Sequence, residues 1–245
     1  MVGKFFCGTS GFSYQHWVGK FYPEDLPKSK WLQFYSQKFN SVEINYTFYR
    51  MPQESTLEKW SKIAPENFSY ILKASKLITH SGRKNLESAT YLLWKFLKTT
   101  EALGEHRGPV LMQFPPSFSD ELALDKFLER ITPAHRVAME FRNRSMLENE
   151  SVRARLAEKN VSFCIYSWHK FPPIFAITAD FIYIRFHGAD KLYSSSYSLA
   201  QLEPFAKFAR EQLADGKDVY AFFNNDAQGF AVDNALQFID MVGGK

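Results

Sequence analysis

The chain has 245 residues, 45% of them apolar and 17% aromatic, enough for a sizeable core and about the length of one α/β barrel or two small domains. Its formal charge of +4 is small, which argues against a general affinity for nucleic acid or membrane. No run approaches the roughly 18 apolar residues that a membrane helix requires, no secretory leader pattern opens the chain, and Cys7 and Cys164 sit inside apolar runs as expected buried thiols. A cytoplasmic location with no membrane partner is the expectation.

Lys4–Gly8 reads as a first strand and opens into the loop Thr9-Ser10-Gly11-Phe12-Ser13-Tyr14. Ser29 can cap a helix running to Phe39, because Trp31, Phe34, Tyr35 and Phe39 lie near helical spacing. Val42–Asn45 is the second strand, and a helix over Gln53–Ile63 follows the break at Met51-Pro52. Phe68–Ala74 is the third strand, followed by a polar loop and a long helix over Ser88–Leu103. Pro109–Gln113 is the fourth strand, stopped by Pro115-Pro116, which cannot donate to a ladder.

Leu122–Ile131 reads as helix, Arg136–Phe141 as the fifth strand, Glu150–Asn160 as helix and Val161–Tyr166 as the sixth strand. The alternation then stumbles. Trp168–Ala179 contains Pro172-Pro173 and no clear helical pattern, so an irregular connection is expected. Phe181–Phe186 is the seventh strand, Ser198–Leu213 a helix, Val219–Phe223 the eighth strand and Gln228–Met241 the closing helix. Eight strands alternating with about seven helices, without a linker, predict one α/β domain over residues 1–245, a (β/α)₈ TIM-type barrel with an irregular connection between strands 6 and 7. A doubly wound sheet would carry a glycine-rich phosphate turn after its first strand, and Gly8-Thr9-Ser10-Gly11 lacks that spacing.

Barrel active sites lie at the C-terminal strand ends, and strand parity decides which side chains face inward there. Parity places Glu43 and Asn45, then Glu140 and Arg142, then Tyr183, Arg185 and His187 inside, where Lys73, Gln113, Ser167 and Asn224 can join them. One carboxylate–arginine pair is often a buried ion pair that only fixes a core. Five charges at one end are harder to explain as packing and point to a ligand or catalytic site. Glu43, Glu140 and His187 are therefore candidate proton-transfer groups, His187 because its ordinary pKa lies near neutrality. Arg142 and Arg185 suit an anion, and Ser10, Tyr14, Asn45, Tyr49, Lys73, His80, Gln113, Asn224 and Asp226 complete the expected binding set.

Other chemistries are less supported. Only Glu43, Glu140, His187 and Asp226 could converge on a metal, and without HxH, HExxH or CxxC spacing no metal or cofactor is expected. There is no nucleophile elbow. A Schiff base on Lys73 is conceivable if burial lowers its pKa, with a lysine held by Glu43 or Glu140 as the plainer alternative. Asn224-Asn225-Asp226 could simply cap the last helix, and His80 with Arg83 and Lys84 could be an exposed basic patch.

Several blocks together resemble the domain-of-unknown-function family 72, the YecE-like proteins. They are Gly8–Tyr14 with Trp17, Gly19 and Phe21-Tyr22-Pro23; Phe39–Arg50 with Pro52; Thr79-His80; Gln113–Phe118; Glu140-Phe141-Arg142; Tyr183–Gly188; and Phe223–Asp226. The blocks span nearly the whole chain, with Phe12 standing where the family often has tryptophan. The resemblance implies a barrel and supplies no established activity, so function rests on the site. Similarity to the barrels of sugar isomerases and abasic-site endonucleases is fold-level analogy, and those enzymes use metal clusters that this chain lacks.

The leading expectation is an enzyme, a hydrolase or an isomerase or lyase, acting on a small anionic sugar- or phosphate-bearing partner. In a glycosidase variant Glu43 and Glu140 would flank the scissile bond. The alternatives are a nucleic-acid phosphodiester-processing or binding protein, whose affinity would fall steeply with salt, and a non-catalytic ligand-binding barrel.

Overall fold

In a computed structural model of the chain, residues 2–80, 85–168 and 170–243 are described; Arg83 and Lys84, read above as a basic patch, lie outside them. Eight strands form one sheet: β1 Phe5–Thr9, β2 Ser41–Ile44, β3 Ser69–Lys73, β4 Arg107–Phe114, β5 Val137–Phe141, β6 Ser162–Ser167, β7 Phe181–Phe186 and β8 Asp218–Phe223. The order is β1-β8-β7-β6-β5-β4-β3-β2, and every ladder is parallel. Parallel strands buried on both faces read as near-continuous apolar runs, which is why these segments were legible as strands.

The helices are α1 Trp31–Tyr35, α2 Tyr46–Tyr49, α3 Glu54–Ile63, α4 Lys76–Thr79, α5 Leu86–Thr100, α6 Glu121–Leu128, α7 Arg144–Leu147, α8 Glu150–Glu158, α9 Leu199–Ala214 and α10 Phe230–Val242. The result is a TIM-like barrel that is nearly closed. Asp120 caps α6 by accepting from Ala123 N at 3.0 Å, and Ser198 with Gln201 forms a capping box on α9.

β1 and β2 share no ladder; their backbones meet at one parallel bridge, Ser10 to Glu43. Side chains seal the rest of this seam. The Asn40 carboxamide accepts from Cys7 N at 3.0 Å and donates to Phe5 O at 2.7 Å, imitating a strand partner. The Tyr35 hydroxyl accepts from Thr9 N at 2.9 Å and donates to Ser41 O at 3.1 Å. A Cβ on Gly8 would sit 2.0 Å from Ser41 O, so only glycine lets the two backbones approach this closely.

The β6–β7 connection has no α-helix among its described residues, as expected. Thr178 pins it by donating to Val161 O at 2.6 Å and accepting from Phe163 N at 2.7 Å, while Phe175 packs on Phe205 and Phe208 of α9. Three local expectations need correction. Ser29 does not cap α1: a 3₁₀ turn over Lys28–Lys30 precedes it, and the helix ends at Tyr35 instead of Phe39. Its aromatic side chains answer to the first loop, with Trp31 stacked on Tyr22 at 4.7 Å and Phe34 against Phe21 at 5.4 Å. The long helix gives way after Thr100 to a 3₁₀ segment containing Gly104 at φ 56°. The last helix starts at Phe230, because Gln228 and Gly229 adopt left-handed φ values of 66° and 85°.

Candidate active site

The inward-facing charges form a buried lattice. Arg185, on β7, spans both glutamates with one guanidinium: Nη2 donates to Glu43 Oε1 and Nη1 to Glu140 Oε2, each at 2.6 Å. Glu43 accepts two further bonds, from Ser10 Oγ at 2.7 Å and from the Tyr183 hydroxyl at 2.8 Å. Glu140 also accepts from Arg142 Nε. The Arg142 guanidinium lies 5.3 Å from the Tyr166 ring and 5.1 Å from the Trp168 ring, so its charge is held by π faces as well as by a carboxylate.

Solvent barely reaches this lattice. Glu43, Glu140 and His187 are 0% exposed, Arg185 is 1% and Arg142 is 9%. Burial alone would raise the Glu140 pKa, but the guanidiniums of Arg142 and Arg185 outweigh it and hold the carboxyl well below its usual range. Burial, reinforced by the two arginines, pushes His187 down to about 3 despite the neighbouring Glu140. Arg142 Nη2 lies 2.8 Å from His187 Nε2, which must accept; the neutral ring then carries its proton on Nδ1.

These facts revise the expected roles. Glu140 stays ionised and His187 stays neutral through the physiological range, so neither is poised to exchange a proton. Glu43 and Glu140 cannot flank a glycosidic bond, because the Arg185 guanidinium occupies the space between them. Four of the five strand-end charges neutralise one another inside the packed barrel. The exception is Lys73.

A cavity of about 550 Å³ opens at the C-terminal end, lined by Tyr14, His16, Asn45, Phe48, Tyr49, Lys73, Tyr193, Asn224, Asp226 and Ala227. Lys73 ends β3, and its Nζ donates to the Gln113 carboxamide at 2.9 Å and sits 4.4 Å from the Phe48 ring centroid. Neither Glu43 nor Glu140 pairs with it, contrary to the plainer expectation: both carboxylates are committed to arginine. Burial, reinforced by Arg185, lowers the Lys73 pKa to about 8, although Glu140 and Glu43 pull the other way.

Of the expected binding residues, Tyr14, Asn45, Tyr49, Lys73, Asn224 and Asp226 thus share one cavity. Ser10 is buried on Glu43, and Gln113 acts through Lys73. His80 stands behind the wall, edge-on to Phe48 at 5.1 Å, with burial and then Lys73 and Lys76 lowering its pKa. Tyr46 and Arg50, at the two ends of the α2 segment, line a different, smaller cavity with Met51 and Trp60. Asp226 does not cap α10; it accepts from Trp17 Nε1 at 2.7 Å and meets His16 Nε2 at 3.1 Å, strapping the first loop to the last. Burial raises its pKa against those two partners.

His16 and Tyr193 were missed. The signal for His16 was its place between Tyr14 and Trp17 in the first βα loop; Tyr193 had only its position as an aromatic in the serine-rich loop after β7. Tyr193 has φ 61° and sets its ring 5.7 Å from that of His187. Among the described residues no group of three or more His, Cys, Asp or Glu side chains is arranged to hold a metal ion, and no helix is long and apolar enough to cross a membrane. Cys7 and Cys164 are free and buried.

Residues 6–245 match the family described as "Protein of unknown function DUF72". The UPF0759 protein YunF of Bacillus subtilis (strain 168) is 27% identical over 252 residues, covering 90% of this chain and 89% of YunF. The UPF0759 protein YecE of Escherichia coli (strain K12) is 28% identical over 114 residues, covering 46% of this chain and 41% of YecE. Among solved structures, a DUF72 family protein from Thermotoga maritima superposes with a TM-score of 0.86 at 31% identity, over 98% of this chain and 99% of the other. A DUF72 family protein from Enterococcus faecalis shares the fold at 20% identity, with a TM-score of 0.81 over 99% of each chain.

Proposed function

The chain belongs to the DUF72 family, and we propose that it is an enzyme acting on a small anionic, sugar- or phosphate-bearing substrate in the barrel mouth. In this reading Lys73 both attracts the anion and moves the proton. One observation carries it: the lattice beside the cavity balances its own charge, two carboxylates against two guanidiniums, and leaves the Lys73 ammonium without an acidic partner. A half-buried cation in that position is relieved when an anion joins it or when it gives up its proton. Its pKa of about 8 makes both outcomes accessible near neutrality.

The remaining residues fall into supporting roles. Glu43, Glu140, Arg142, Arg185 and His187 fix the field and the shape behind Lys73 as positioning residues. Asn45, Asn224 and the Tyr14 hydroxyl supply polar contacts, while Phe48, Tyr49 and Tyr193 offer ring faces to a sugar. Calorimetric titration with inorganic phosphate, glucose 6-phosphate and glucose tests the reading. Both anions should bind at pH 6.5, and glucose should bind at least about tenfold more weakly. Anion affinity should fall as pH rises through about 8, because the proton that creates the charge is then lost. Lys73→Gln should abolish anion binding; equal binding by this variant, with its fold intact by circular dichroism, would refute the reading.

A further inference from the structure

From the partners and surroundings of Lys73 we infer that its amine is a nucleophile, and that the substrate is an anionic aldehyde or ketone held as a protonated imine on Nζ. The inference rests on the anion-binding reading above and adds a covalent step to it. A carboxylate partner would lock a proton on the amine. The Gln113 carboxamide, 2.9 Å away, accepts one N–H and cannot take the proton, so the amine can become neutral while its position stays fixed. The lone pair then belongs to the cavity that Lys73 lines.

The surroundings suit each stage of imine formation. Nζ attacks the carbonyl carbon, forming the C–N bond, and the carbonyl π electrons move to oxygen, which takes up a proton. The Tyr14 hydroxyl already donates to Ser10 O at 2.7 Å, so this proton comes from solvent in the open cavity mouth. Loss of an amine proton and protonation of the hydroxyl expel water and leave C=N⁺H. Overall, amine, carbonyl and one proton give iminium and water, with no oxidant or reductant. The cationic product inherits the place of the ammonium, 4.4 Å from the Phe48 ring, whose π face stabilises it.

Borohydride trapping tests this. The protein at pH 8 is mixed separately with glyoxylate, pyruvate, dihydroxyacetone phosphate and ribose 5-phosphate, reduced with sodium borohydride, which supplies the hydride that makes the adduct a stable secondary amine, and mapped by peptide mass spectrometry. With a pKa of about 8, Lys73 carries roughly a hundredfold more neutral amine at this pH than an exposed lysine. At least one probe should therefore label Lys73 at least about tenfold above the surface lysines, after allowance for its weaker basicity. Lys73→Arg should remove that adduct and leave the surface labelling unchanged. If no probe labels Lys73 above the surface background, the imine is overturned. The phosphate calorimetry then decides separately whether the anion site itself stands.

Discussion

Arg185 holds the inner site together, because one guanidinium answers two carboxylates that have no water to solvate them. Replacing it with methionine strands Glu43 and Glu140 as buried, under-partnered charges, and the expected loss of stability is about 3–5 kcal/mol. Arg185→Lys should recover only part of this, since a point charge cannot span both acids. Urea unfolding of the three proteins measures it, and an unchanged midpoint for Arg185→Met would contradict the lattice. Strand alternation sufficed to turn Glu43, Glu140 and Arg185 inward, because period two is a local property of the chain. Depth is not local. Register across strands, such as Gln113 beside Glu140 and Tyr166 beside Arg185, decides which inward groups are sealed and which reach the cavity. The same parity argument therefore grouped Lys73 with four charges that neutralise each other.

At the scale of elements, the β1–β2 seam is where the barrel departs from a closed ladder. Asn40 carries two backbone groups of β1 there, and Asn40→Ala leaves both without that partner, at a cost of about 1–2 kcal/mol. Amide exchange at Cys7 should accelerate in this variant, whereas exchange at Ile184, in the ladder between β6 and β8, should not. Equal protection at Cys7 in both proteins would assign the seam to other contacts. The eight strands were legible because apolar runs bounded by proline and glycine announce themselves. The seam was not: Asn40 sits in an ordinary helix-to-strand turn, and its partners lie 33 and 35 residues away. Asp226 shows the same limit, since its partner Trp17 is 209 residues distant and only barrel closure brings them together.

For the whole molecule, a net charge of +4 conceals a more specific arrangement. Most charge is on the surface, a balanced quartet is sealed in the barrel, and one amine is left facing a cavity of about 550 Å³. In the proposed reading function falls to Lys73, because the carboxylates nearby are committed to arginine. The most direct measurement is the titration of Lys73 by the ¹³Cε resonance of ¹³C-lysine-labelled protein, assigned by its disappearance in Lys73→Gln. A midpoint near 8, moving upward when phosphate is added because the anion favours the protonated amine, is the predicted result. A midpoint at the ordinary lysine value of about 10.4, unmoved by phosphate, would contradict the account.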